Sequence, residues 1–247
     1  MTQGNDPIVS KKQVNFFFLL SACTIFAVRN KLIMSYDILQ PIPQGINGAY
    51  DEENRRIQEI ADELHRLCSV YEAESGNGQT NGSRLEIEQH ITERFAKSNG
   101  LWIPIDSIFD LGVPGPSGNE NDTYVAENTI FKVNNLFNTG SITGLLSKVL
   151  LHNQIFPNTA YQLHGFTGYD GRSVMPVLRQ NRVSNAKPAT QVMIDTYMSA
   201  LGFTKFGAEG KYHNGEYIVW DIVPRNVLTD IDGDMYVVDA EITKQTT

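Results

Sequence analysis

The sequence predicts an α+β fold, helical at first and rich in short strands from Leu101 onward. Three observations carry this expectation. Residues 51–74 and 85–97 repeat apolar side chains at three- and four-residue spacing, the period of a helix with one buried face. After Leu101, β-branched and aromatic runs alternate with glycine- and proline-rich turns, as antiparallel hairpins do. Two more helical stretches, 141–156 and 190–201, are set among those strands.

The chain of 247 residues is long enough for one large domain or for a domain with an extension. Three segments are expected: 1–33, 34–100 and 101–247. In the first, Lys11 and Lys12 precede an apolar run from Phe16 to Val28, too short for a comfortable membrane span. It reads as a secretory signal, as a buried helix, or as the result of a start placed too early, with Met34 the true beginning. The sequence Leu20-Ser21-Ala22-Cys23 resembles a lipoprotein cleavage box, but Ile25, Phe26 and Val28 prolong the apolar run past the cysteine. The late start or an incidental segment is the favoured reading, and residues 1–50 are expected to pack poorly on the rest.

A net charge of −8, with no basic run beyond short pairs, argues against a nucleic-acid partner. Two cysteines, Cys23 and Cys68, form neither a disulfide framework nor a zinc cluster.

In residues 34–100, the helix from Asp51 places Ile57, Ile60, Ala61, Leu64, Leu67 and Tyr71 on one side, with Asp51 able to cap its start. Residues 75–83 read as a flexible linker, and Ile87, Ile91 and Phe95 are expected to line a second helix that stops at Gly100. His65 and His90 have no metal-ligand spacing. The pair reads as a helical extension.

Residues 101–105 are expected to be extended and lead into a glycine- and proline-rich loop, 112–121. Strands follow at 123–125 and 129–133, around a turn at Glu127-Asn128. Lys132 lies between Phe131 and Val133, and a lysine in a buried strand needs an anionic partner. On an edge strand it would simply face water. Ser141 can cap the next helix, whose apolar face is Ile142, Leu145, Leu146, Val149, Leu150 and Ile155. Strands at 160–165 and 173–178 flank a turn at Tyr169-Asp170-Gly171, and Gln180-Asn181-Arg182 reads as a connection between two halves.

The chemistry concentrates near the end. An apolar strand, Tyr217–Trp220, ends at Asp221. A short loop containing Pro224 leads to Asn226, and a strand, an Asp232-Gly233 turn and a further strand end at Asp239. Such a hairpin brings Asn226 and Asp239 to one end, with Asp221 beside them. Two oxygen ligands for a hard cation and a free carboxylate suit metal-assisted phosphoryl transfer. A calcium-loop reading of Asp230, Asp232, Asp234 and Glu241 fails, because Met235 stands where the sharp turn needs glycine.

The spacing Asp221 to Asn226, then Val227-Leu228, then Val237-Val238-Asp239 resembles the catalytic loop and metal hairpin of the protein-kinase-like fold. Gly118-Asn119-Glu120-Asn121, Lys132-Val133-Asn134-Asn135, His152-Asn153 and Ile155-Phe156-Pro157 look like the small kinase-like domains of polyvalent proteins of phages and mobile elements, and relatives in Bacteroides-type bacteria. The resemblance covers about residues 101–247. It implies a minimal bilobal fold: an antiparallel sheet in the N-terminal lobe and a truncated C-terminal lobe, with Gln180 at the hinge. It implies ATP and magnesium as cofactors. Asp221 and Lys132 would be the catalytic residues, Asp221 as the base. Ser117, Gly118, Asn119, Glu120, Lys132 and Gln180 would hold the nucleotide, and Asn226 and Asp239 the metal. The acceptor would be a hydroxyl-bearing molecule or protein, and the location cytoplasmic, where ATP is.

Departures accompany it. Val219-Trp220 replace His-Arg, and Ala240-Glu241 replace Phe-Gly. Six residues follow Glu241, too few for an activation segment. No Asp or Glu lies between Val133 and Tyr169, so the helix lacks the glutamate that pairs the lysine. His152, Asn153 or Gln154 could orient Lys132 only as neutral groups. Lys132 is therefore expected to pair with Asp239 or, failing that, Glu120. The alternative to a phosphotransferase is a pseudokinase serving as a nucleotide-binding or interaction module.

Overall fold

A computed structural model describes residues 48–74, 84–169 and 173–245. The expectations for residues 1–47, the 75–83 linker and the 170–172 turn lie outside these. Two helices come first, α1 (Gly48–Glu74) and α2 (Arg84–Ser98). Helix α1 begins before Asp51, so that residue lies inside the helix. Ile57, Ile60, Ala61 and Leu64 of α1 are buried as expected, while Tyr71 is exposed and Cys68 takes an inward place.

The stretch expected to be extended over 101–105 stops at Pro104, and residues 105–111 form a 3-10 helix, with Ile108 buried and Ile105 and Leu111 packed against the same cluster. Their spacing of three is the 3-10 period, in which side chains at i and i+3 eclipse.

A five-stranded antiparallel sheet follows, from β1 (Val113–Pro114), β2 (Asn121–Val125), β3 (Thr129–Asn134), β4 (Gln162–Thr167) and β5 (Met175–Asn181), in the order β1-β2-β3-β5-β4. Between β3 and β4 runs α3 (Ile142–Ile155). Gln180 and Asn181 belong to β5, so the connection to the second half begins only at Arg182.

The edge strand β4 is covered. Leu101 and Ile103 bond to both sides of Phe166, at 2.8 Å each, as one short parallel bridge. Gly165 is required there, because a Cβ would sit 2.5 Å from the Leu101 carbonyl oxygen. On α1, Glu53 accepts from Leu163 N at 3.0 Å and Arg56 donates to Leu163 O at 3.0 Å. Together they satisfy an edge residue that would otherwise invite another strand.

The two N-terminal helices share one hydrophobic cluster with α3 and β4: Ile57, Leu64, Ile91, Leu146, Leu163 and Phe166 all belong to it. The N-terminus of α3 is held from α2. Buried Glu88 accepts from Ile142 N and Thr143 N at 2.9 Å each and from the Thr143 hydroxyl at 2.6 Å. Ser141 caps the same end, accepting from Gly144 N. A carboxylate at a helix N-terminus meets orphan N–H groups and the positive end of the dipole. Glu88→Ala should therefore cost about 2 kcal/mol or more in a denaturant titration; a loss under about 0.5 kcal/mol would show the cap to be idle.

The second half is built from β6 (Lys187–Pro188), α4 (Gln191–Ala200), β7 (Thr204–Lys205), β8 (Tyr212–His213), β9 (Tyr217–Trp220), β10 (Val227–Thr229), β11 (Met235–Val237) and β12 (Glu241–Lys244). They form two sheets, β11-β10-β6 and β12-β9-β8-β7. Their core gathers Ile194, Met198, Tyr212, Val219, Ile222, Val227 and Val237, together with Ile155 and Phe156 at the end of α3. Helix α3 thus spans both cores. Among the described residues, no helix is long and apolar enough to cross a membrane.

Candidate active site

Lys132 and Asp239 are set by strand register. In β3 the alternation turns Ile130 and Lys132 inward, and Lys132 pairs with Thr123 on one side and Leu178 on the other. Between β10 and β11, Val227 faces Val237, and Val238 N donates to Asn226 O at 2.8 Å. Asn226 and the segment carrying Asp239 therefore lie side by side at one end of the hairpin. The turn at the other end is wider than an Asp-Gly pair. It spans 230–234, and the Asp230 carboxylate accepts from Asp232 N, Asp234 N and the Tyr236 hydroxyl. Gly233 has φ 84°, whereas Asp232 does not take a positive φ.

Asp221 terminates β9 in the left-handed region, at φ 62°. Its carboxylate is held on both oxygens, by Arg225 at one and by Asn226 Nδ2 at 2.8 Å at the other. Asn226 Nδ2 also donates to the Asp221 carbonyl at 2.9 Å, so the asparagine amide points its oxygen away from Asp221. Asp221 opens onto a cleft of about 600 Å³ with Trp220, Lys211, Glu209, Glu241 and Asn138 on its walls.

The expected ion pair of Lys132 is not formed. Its ammonium donates to the Tyr161 hydroxyl and to the Val238 carbonyl, at 2.9 Å each. Tyr161 in turn donates to the same carbonyl at 2.8 Å. The lysine thus bonds to the backbone just before Asp239 and not to its carboxylate. Neutral acceptors leave burial uncompensated, and burial lowers the Lys132 pKa, with Asp239 opposing the shift. His152, Asn153 and Gln154 bond elsewhere, to Thr159, Tyr161 O and the Tyr217 hydroxyl.

Glu120 is also not the partner of Lys132. It accepts from Lys148 of α3 at 3.2 Å and from Asn138 at 3.0 Å. Lys148 also reaches Glu241 at 2.8 Å. Burial works against its charge, but Asp239, Glu120 and Glu241 outweigh that and raise its pKa. Ser117, Gly118 and Asn119 lie exposed on the glycine-rich loop, which is fastened by Gly118 N to Asn121 O at 3.0 Å and Asn135 Nδ2 to Asn119 O at 2.7 Å. Gln180 is buried in β5, donating to Thr159 O at 2.8 Å.

Sequence reasoning missed Tyr161, Asn138, Arg225 and Lys148. Lys148 carried a readable signal: it is the only Lys, Arg, Asp or Glu between Val133 and Tyr169. The test applied to Lys132, a lone charge on an apolar element, applies equally to it.

His152, beneath Lys132 and Tyr161, is fully enclosed, and burial pulls its pKa from 6.5 to about 3. The folded protein keeps it neutral, while the unfolded chain takes up a proton below 6.5. This contribution to stability is complete above pH 6.5 and is lost as pH falls toward 3. Between pH 7 and pH 5, the wild type should lose roughly 1–2 kcal/mol more than a His152→Gln variant. Parallel losses in the two proteins would refute the assignment.

A β3 lysine bonded to the backbone just before Asp239, with Asn226 alongside and a half-buried Asp221 nearby, resembles the arrangement of a kinase-like domain. The chain belongs to the family of serine/threonine/tyrosine kinases found in polyvalent proteins, which it matches over residues 86–246. No curated protein and no solved structure matches it.

Proposed function

We propose that the protein is an ATP- and magnesium-dependent phosphotransferase of minimal kinase type, acting on a hydroxyl group. The observation that carries this reading is the bond from Lys132 to Val238 O, at 2.9 Å, which ties the β3 lysine to the segment joining Asn226 to Asp239. The five-stranded sheet with α3 would be one lobe, and the elements after Arg182 the other. The nucleotide would enter between them, under the loop of Ser117 to Glu120.

The oxygen donors suit a hard divalent cation. Asp239 offers a half-buried carboxylate, and Asn226 keeps Oδ1 available while Nδ2 is used on Asp221. Two protein oxygens would suffice for magnesium, which fills the rest of its shell with phosphate and water. When bound, the ion would neutralise charge on the phosphates.

The acceptor hydroxyl would sit in the cleft before Asp221. Its oxygen attacks the γ-phosphorus, the bond to the ADP oxygen breaks, and the hydroxyl proton passes to the Asp221 carboxylate. Arg225, largely exposed, must first release that oxygen; an exposed pair of this kind holds it by only about 0–1 kcal/mol. Lys132 would bind phosphate once its present neutral acceptors are exchanged. With ATP as its substrate, the protein would work in the cytoplasm.

A second reading has its own support. The space beside Asp239 accommodates only about 10 Å³, and Lys132 has no acid on α3. Both would suit a pseudokinase that serves as a binding module. An ATP-turnover assay separates the two: magnesium-dependent ADP release that disappears in Asp221→Asn supports the phosphotransferase, and no release above background supports the pseudokinase.

A further inference from the structure

Lys148 occupies the middle of α3 with its side chain 12% exposed. It bridges two carboxylates that are distant in sequence, Glu241 Oε1 at 2.8 Å and Glu120 Oε2 at 3.2 Å. Asn138, from the loop before α3, donates to the same two groups, at 2.8 Å and 3.0 Å. A buried ion network is a weak source of net stability, since desolvation offsets its attraction. Its effect is to fix geometry, because each carboxylate keeps its partners only in one arrangement.

The positions of those partners give the network its meaning. Glu120 closes the glycine-rich loop and leads directly into β2. Glu241 stands two residues beyond Asp239 and pairs with Trp220, the residue before Asp221, in the β9–β12 ladder. One ammonium on α3 thus joins the end of the loop to β12, the strand that follows Asp239 and pairs with the strand ending before Asp221. Lys132 provides no such link through α3, since it bonds to Tyr161 and Val238. Glu120 lines a small space shared with Asp239 and Lys148, and its Oε1 is buried without a hydrogen-bond partner among the described residues. The network therefore borders directly on that space.

We propose that Lys148 is the positioning residue of the nucleotide site, a strut whose ammonium sets the spacing between the glycine-rich loop and the Asp239 turn through Glu120 and Glu241. Its polarity is inverted: the helix supplies the cation, and the loop and turn supply the anions. The proposal rests on the reading of the cleft as a nucleotide site.

The test uses the full chain and the variants Lys148→Arg and Lys148→Met. Magnesium-ATP affinity is measured by calorimetry, and amide hydrogen exchange is followed without nucleotide. Lys148→Met should weaken magnesium-ATP by about 10-fold or more, whereas Lys148→Arg, still able to bridge two carboxylates, should stay within about 3-fold. Exchange at residues 118–122 should quicken about 10-fold in Lys148→Met, while the amides of β9 keep their protection. Unchanged affinity in Lys148→Met, or equal weakening by Arg and Met, overturns the proposal. If Lys148→Met fails to fold, Glu241→Gln takes its place with the same expectations. If the wild type binds no magnesium-ATP, the nucleotide reading fails. The exchange data then decide the strut alone: faster exchange at 118–122 sustains it, and unchanged exchange removes it.

Discussion

Asp221→Asn is expected to lower ATP turnover by roughly 10²- to 10⁴-fold, the usual contribution of a positioned general base. Nucleotide affinity should stay within about 3-fold, because Asp221 lines the cleft of about 600 Å³ and not the space shared by Glu120, Lys148 and Asp239, where the nucleotide is proposed to bind. The substitution is clean for structural reasons. Asp221 sits at φ 62°, and asparagine tolerates the left-handed region about as well as aspartate does. The lost ion pair joins Arg225, 69% exposed, to a carboxylate 38% exposed, so stability should change by less than about 1 kcal/mol. A turnover rate within about 3-fold of wild type would remove Asp221 from the role of base. A folded protein with normal affinity and no turnover would leave the base assignment intact.

Lys132→Met should weaken nucleotide binding by about 10-fold or more, because a charge-assisted contact to phosphate contributes about 1.5–3 kcal/mol. The same change should leave the empty protein no less stable. The ammonium is buried against neutral acceptors, and burial lowers its pKa. Removing it leaves no orphan, since the Tyr161 hydroxyl keeps its bond to Val238 O at 2.8 Å. Methionine fills a similar volume without a charge to desolvate. Weaker binding with equal or higher melting temperature is thus the expected signature, read by fluorescence competition and thermal unfolding. Unchanged affinity would show that the lysine is structural.

Much of the site was legible because it is local. The strand ending in Asp221, the five-residue step to Asn226 and the hairpin to Asp239 all obey pairing rules that act within a few residues, and the ladder Val227↔Val237 follows from them. The capped helix at Ser141 and the lysine strand at Thr129–Asn134 were readable for the same reason. The partners of Lys132 were not. An acid was expected because a buried charge needs one, yet a phenol and a carbonyl satisfy its donors. Tyr161 is 29 residues away and Val238 106 residues away, separations over which sequence pattern says nothing. The network of Lys148 is of the same kind. The 3-10 helix at 105–111 was overlooked because a three-residue spacing in so short a run resembles an extended apolar stretch. Gln180 reads as a connector from its polarity, but the register opposite Ile130 continues β5 through it and buries it.

In the proposed function, Lys132, Asn226 and Asp239 together would hold ATP and its magnesium ion. Calorimetric titration of the wild-type chain with ATP, in the presence and absence of magnesium, tests it most directly. The account predicts saturable one-to-one binding with magnesium, weakened about 10-fold or more when magnesium is withheld. No heat of binding under either condition would contradict it.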